Sequence, residues 1–259
     1  MIATATFLGS LVGLSLGLTG GGGSIFAVPL LVYGLNQSFR EAVALSLAIV
    51  GTTSLYGAFL QARRGVVLWR AGAVLGLGGI LTAPLGAYIG KLLPDRLSIF
   101  LFAGLMFFIG VKMVRGKTQQ TTSYLSCAGT RFGEIAFSWP CTIKLTIAGA
   151  LTGILSGIFG VGGGFLIVPA LLMVGGVSVD SAMATSLVSI TLVSMSGFLS
   201  NLFTLRISSA STGIWFLVGA LVGMTIGVSL KARLPAQVLR RIFGFMIIAT
   251  ALVLSALNI

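Results

Sequence analysis

The 259-residue chain has no histidine, four acidic residues and two cysteines. It therefore lacks the usual general acid and base groups of an enzyme and the ligand clusters of a metal centre. No cofactor is expected. Cys127 and Cys141 lie in or beside one polar segment and read as unpaired thiols or small apolar fillers. Charged residues make up 8% of the chain, against about 25% in soluble domains. Hydrophobic residues reach 56%, which makes a lipid bilayer the expected surroundings. Glu41, Asp95, Glu134 and Asp180 fall at the ends of apolar runs or in the polar linker, so no carboxylate stands at depth for a proton relay. The net charge of +12 would suit nucleic acid. The Lys and Arg residues lie in short loops between apolar runs, however, where they orient spans, and no nucleic-acid partner is expected.

What the chain has in abundance is glycine, 37 residues of it, and its richest stretch occurs twice. At an offset of 140, Gly13, Gly17, Gly20, Gly22, Gly23 and Pro29 pair with Gly153, Gly157, Gly160, Gly162, Gly163 and Pro169. The match continues through Ala42/Ala182, Ala44/Ala184, Ser46/Ser186, Ser54/Ser194 and Gly57/Gly197. This internal duplication divides the chain into a first membrane repeat (1–117), a polar cytoplasmic linker (118–142) and a second membrane repeat (143–259). The N-terminus lacks the positive region of a cleaved signal and reads as mature protein.

Apolar runs lie at about 2–18, 25–35, 42–60, 71–90 and 97–114, and again at about 145–159, 165–176, 181–203, 212–230 and 238–257. Most reach the roughly 30 Å of a bilayer core, but the pieces just after the glycines reach only about 16–18 Å. Consecutive glycines disfavour helix, and proline fits best in a first turn. The reading is a broken, re-entrant helix pair with a second short helix starting between Ser24 and Pro29. Non-helical backbone at that depth needs protein or a watery cavity around it.

If each glycine segment returns to its own side, the two halves have opposite orientation. With the loop at 61–70 inside, Arg63, Arg64, Arg70, Lys112, Arg115, Lys117, Arg131, Lys144, Lys231, Arg233, Arg240 and Arg241 are cytoplasmic, and Arg40, Lys91, Arg96 and Arg206 are outside. That distribution follows the positive-inside rule. A glycine segment that crossed once would put the basic loop at 231–241 outside. The expected fold is thus an all-α integral membrane protein of two inverted repeats, each a re-entrant helix pair followed by three transmembrane helices. It would sit in the inner cell membrane with both termini external. Trp69, Trp139 and Trp215 fall near span ends, as interfacial anchors do.

The stretches GIFGVGGGFLIVPALL (157–172) and GLTGGGGSIFAVPLL (17–31), with Ala42, Ala44, Ser46 and Ala182 to Ser186 downstream, resemble the TauE/SafE family of membrane proteins. The resemblance covers nearly the whole chain outside the linker. Members of that family are associated with export or uptake of small sulfur-containing anions, and the resemblance implies an anion transporter for substrates such as sulfite, sulfonates or sulfoacetate. With no carboxylate at depth to couple protons, and an inside-negative membrane that favours anions moving outward, export is the expected direction.

The residues themselves point to an anion without naming sulfur. Two short helices beginning at depth from opposite faces would present unpaired N–H groups and partial positive charge to a common point. The candidate binding residues are Gly21, Gly22, Gly23 and Ser24 in the first half and Gly162, Gly163 and Gly164 in the second. Hydroxyls on the following helices join them, Ser46, Thr53 and Ser54 in the first half and Thr185, Ser186, Ser189 and Ser194 in the second. Gln61 and Asn201 match at the same offset. A passive anion channel would use the same dipoles, and an intramembrane enzyme is the remotest alternative. The expected partners are the lipid bilayer and a small anionic substrate.

Overall fold

The computed structural model describes residues 2–94, 139–172, 177–202 and 207–231, together with scattered positions between 97 and 111. The apolar run at 238–257 lies wholly outside these residues, the linker largely so, and the run at 97–114 in part. All regular structure among the described residues is helical. This is the expected answer to a medium that cannot hydrogen-bond the backbone. The first half holds α1 (Ile2–Thr19), the short α2 (Gly23–Pro29), α3 (Phe39–Ala62) and α4 (Trp69–Leu92). The second holds α5 (Trp139–Phe159), the short α6 (Gly164–Ala170), α7 (Val179–Asn201) and α8 (Ile207–Lys231). Six of these, all but α2 and α6, are long and apolar enough to cross a membrane.

The duplication persists in local chemistry. Ser38 caps α3 by accepting the Glu41 N–H, and Ser178, 140 residues on, caps α7 by accepting the Ser181 N–H at 3.2 Å. A hydroxyl at this position satisfies a donor that the first turn leaves open. Two expectations need correction. Pro29 closes α2 instead of opening it, and the missing N–H there leads into a π-helical turn, Leu30–Gly34. Cys141 is disulfide-bonded, not an unpaired thiol, and the chain's other cysteine, Cys127, lies outside the described residues. In addition, α5 begins at Trp139, inside the segment assigned to the linker, with Pro140 in its first turn.

Glycine sets the packing. On α1, Gly9, Gly13 and Gly17 lie against the backbone of Phe216, Ala220 and Met224 on α8, while Gly219, Gly223 and Gly227 of α8 lie against Thr6, Ser10 and Leu14. Small residues four apart on both faces let the two backbones touch. The second half repeats the arrangement: Gly149, Gly153 and Gly157 of α5 meet Leu75, Gly79 and Ala83 of α4. In both pairs the residue numbers rise together, so the helices run parallel, and in both the partner belongs to the other half of the sequence.

The central contact differs. Leu47 meets Gly197, Gly51 meets Ser194 and Met195, and Gly57 meets Leu187, so α3 and α7 cross antiparallel. Their ends sort the charges. Arg64 donates to the Val228 carbonyl at 3.3 Å, and Lys231 pairs with Asp180 at 3.6 Å at one end of the bundle. Arg40 donates to the Lys91 carbonyl at 3.4 Å, and Lys91 Nζ donates to the Ser200 carbonyl at 3.1 Å, at the other.

The α1–α8 seam yields a test. A Cβ on Gly13 would overlap the Ala220 backbone, so Gly13→Val is expected to cost about 1–3 kcal/mol by overpacking. At Gly104, a helical position, a Cβ would meet open space, and Gly104→Ala should leave stability unchanged or raise it by up to about 1 kcal/mol. Denaturant unfolding of both variants in detergent would check this, and equal stability would refute the seam.

Candidate functional site

The two helical breaks come together beside the α3–α7 crossing. The first follows Thr19, where the chain turns at Gly20 (φ 73°) and α2 starts back along α1, with Gly23 against the backbone of Val12 and Leu16. The second follows Phe159, where Gly160, Gly162 and Gly163 all take φ near +68°. A left-handed backbone is open to glycine and strained for a side chain. Gly21 touches Gly164 directly, backbone to backbone, so the turns of the two halves meet.

Each turn is held by the other half. Ser46 on α3 donates its hydroxyl to the Gly160 carbonyl, and Ser186 on α7 donates to the Gly20 carbonyl. Gly160 lies against Val43 and Gly20 against Met183, which again match at 140. Carbonyls freed by a helical break in the interior are costly unless paired, and these two are paired reciprocally. The N–H side is handled unequally. Thr19 Oγ1 accepts the Gly22 N–H at 2.9 Å in the first turn; its counterpart at 159 is a phenylalanine. Among the first N–H groups of the two short helices, that of Ile25 bonds the Gly22 carbonyl at 3.2 Å and those of Leu166 and Ile167 bond the Gly163 carbonyl at 3.0 and 3.2 Å; the N–H groups ahead of them have no acceptor a turn back in their own helices.

The other buried hydroxyls nominated from the sequence, joined by Ser156, divide into two sets. Ser24 donates to the Gly21 carbonyl at 2.6 Å, Ser189 donates to the Gly72 carbonyl at 2.9 Å, and Thr185 Oγ1 accepts the Leu68 N–H at 3.0 Å. These bonds tie turn or helix to helix. The hydroxyls of Thr53, Ser54, Ser156 and Ser194, by contrast, are buried and have no hydrogen-bond partner among the described residues. Ser194 Oγ faces Gly162, and Ser156 lies beside Gly163. Val50 and Ile190 complete the wall around Gly162. Gln61 and Asn201 are buried at the C-terminal ends of α3 and α7, hence at opposite ends of the bundle. The Asn201 amide donates to the Gly197 carbonyl at 3.0 Å.

Sequence reasoning missed Thr19 and Ser156. Each stands where the other half has an apolar residue, Phe159 and Leu16, so the duplication carried no signal for them. Every described Lys and Arg lies in a loop or within two turns of a helix end. What surrounds the meeting point is therefore neutral: backbone, hydroxyls and aliphatic carbon.

Removing the ties should cost stability. Ser46→Ala and Ser186→Ala would each strand a buried glycine carbonyl, an expected loss of about 1–3 kcal/mol. Chemical unfolding in detergent measures it, and wild-type stability in both variants would show that the ties hold nothing.

The chain matches the family profile described as Sulfite exporter TauE/SafE over residues 5–254. It is 34% identical over 252 residues to a probable membrane transporter protein of Xylella fastidiosa (strain Temecula1), covering 94% of this chain and 91% of the relative. It is 28% identical over 274 residues to a similarly named protein of Haemophilus influenzae, covering 97% of each. To the probable membrane transporter protein YunE of Bacillus subtilis it is 26% identical over 251 residues, covering 90% of this chain and 88% of the relative. No solved structure matches it significantly. With six apolar spans among its described residues, and matched along almost its full length by these proteins, the chain belongs to the TauE/SafE family of membrane transporters.

Proposed function

We propose that the protein exports a small sulfur-containing anion, of the sulfite, sulfonate or sulfoacetate class, by alternating access around the meeting point of the two glycine turns. The observation that carries this reading is the reciprocal tie of Ser46 to Gly160 and Ser186 to Gly20. Broken helices related by a pseudo-two-fold and meeting inside the membrane are what transporters with repeated halves use for substrate. The family's description as a sulfite exporter supports the chemical class.

The antiparallel crossing of α3 and α7, equivalent helices in the duplication, supports inverted repeats. So does the segregation of Arg64 and Lys231 from Arg40 and Lys91 at opposite ends of the bundle. The termini are then external and the loop at 63–68 cytoplasmic, in the inner cell membrane. Gly21, Gly22, Gly23 and Ser24 would approach the anion from one side and Gly162, Gly163 and Gly164 from the other, with the positive ends of α2 and α6. Ser46 and Ser186 hold the turn carbonyls so that backbone N–H groups remain for the anion. Thr185 and Ser189 fix α7 against the start of α4, and Gln61 and Asn201 mark the two entrances.

Single cysteines at Asn36 and Val177, in a chain lacking Cys127 and Cys141, should react with an impermeant thiol reagent from opposite faces of the membrane. Labelling of both from one face would sink the inverted repeat. Among the described residues, Glu41 and Asp180 lie at helix starts, so no carboxylate at depth carries a proton. Moving a monoanion outward across an inside-negative membrane is favourable by about 2.3 kcal/mol per 100 mV. Substrate-loaded proteoliposomes should therefore show saturable efflux that accelerates with a valinomycin-imposed negative interior and ignores an imposed pH gradient. Efflux that requires the pH gradient would reveal proton coupling and overturn the mechanism.

A further inference from the structure

Four hydroxyls stand out because they do nothing inside the protein. Thr53, Ser54, Ser156 and Ser194 are at most 1% exposed, and their oxygens have no hydrogen-bond partner among the described residues. In a membrane helix a serine or threonine ordinarily bonds the carbonyl three or four residues back, as Ser15, Thr52, Thr146 and Thr191 do here. A buried hydroxyl left without a partner costs free energy, so four of them ask for an explanation. Three of them are not scattered. Ser194 Oγ would lie 2.6 Å from a Cβ on Gly162, and Ser156 Cβ 3.6 Å from one on Gly163, so the two flank adjacent residues of one turn. Val50, on the same wall, stands one turn before Ser54 on α3, and Ser54 is the duplicate of Ser194.

Resting on the anion reading above, we propose that Ser54, Ser156 and Ser194 are the hydroxyls that donate to the transported ion, and that the site selects a singly charged oxyanion over a dianion, which within that class favours hydrogensulfite and monosulfonates over sulfoacetate, a dianion at neutral pH. Ser46 and Ser186 have their hydrogens committed to carbonyls, whereas the hydroxyls of this set are uncommitted and free to turn toward a ligand. The charge selection follows from what surrounds them. Among the described residues no Lys or Arg lies outside the loops and the first or last two turns of a helix, so nothing neutralises a buried anion by full charge. The cost of taking an ion out of water rises with the square of its charge. The gain from a fixed set of neutral donors rises only in proportion to it. Doubling the charge therefore loses more to desolvation than the hydroxyls return.

Methanesulfonate and sulfate make the test, because they share a tetrahedral shape and differ by a methyl for an oxygen and by one charge. Calorimetric titration of the purified full-length protein in detergent should show methanesulfonate binding at least about tenfold more tightly than sulfate. Ser54→Ala, Ser156→Ala and Ser194→Ala should each weaken methanesulfonate by about ten- to a hundredfold, the worth of one hydrogen bond to a charged group. The same substitutions should leave the unfolding temperature of the ligand-free protein unchanged or raised, since each removes a buried group with no partner. Wild-type affinity in all three variants would overturn the assignment of these hydroxyls, as would a lowered unfolding temperature with affinity intact. Sulfate binding as tightly as methanesulfonate would overturn the charge selection alone. Failure of both anions to bind the wild-type protein would remove the anion reading itself.

Discussion

A peptide group in hydrocarbon has no solvent to fall back on, and the rest of this structure depends on how two interruptions of the helical backbone meet that constraint. At Gly20 and Gly160 the ladder stops in the interior, and the released carbonyls find hydroxyls on a helix from the opposite half of the sequence. The bond that makes each break tolerable is therefore also the bond that joins the halves. Neither turn is complete without the other repeat, and the place where chemistry is available coincides with the place where the two halves are tied.

Glycine serves two separate physical needs here. At Gly20, Gly160, Gly162 and Gly163 it supplies a left-handed backbone; along α1, α5 and α8 it supplies the absence of a side chain where helices touch. The two turns have also diverged. The first uses one left-handed glycine and the Thr19 hydroxyl, the second three left-handed glycines. The duplication has kept the carbonyl tie and let the path of the turn vary, so the surroundings of the meeting point differ on its two sides.

Much of the fold was legible because lipid imposes simple rules. Run lengths located α3, α4, α7 and α8 to within a few residues, and the self-match at 140 paired Ser46 with Ser186 and Ser54 with Ser194. What the sequence could not convey was direction. A serine facing a carbonyl and a serine facing an empty donor position are spelled the same way, and nothing in the alignment separates Ser186 from Ser194. Pairing between distant helices was equally hidden: the small-residue spacing on α1 announces a close neighbour but does not name α8. Ser156 and Thr19 lacked counterparts, and a reading built on repetition passes over residues that occur once.

The parallel pairing of each half's first helix with a helix of the other half also sets an order of assembly. Gly149 of α5 finds Leu75 on α4 after 74 residues of intervening chain, whereas Gly13 of α1 finds Ala220 on α8 only after 207. At roughly 5–20 residues per second of synthesis, α1 waits on the order of 10–40 s in the membrane before its partner emerges. The Ser46–Gly160 bond spans 114 positions and Ser186–Gly20 spans 166, so the second glycine turn closes before the first. During biogenesis the molecule is thus asymmetric in time, and among the described helices α1 is the one that waits longest for the helix it packs against.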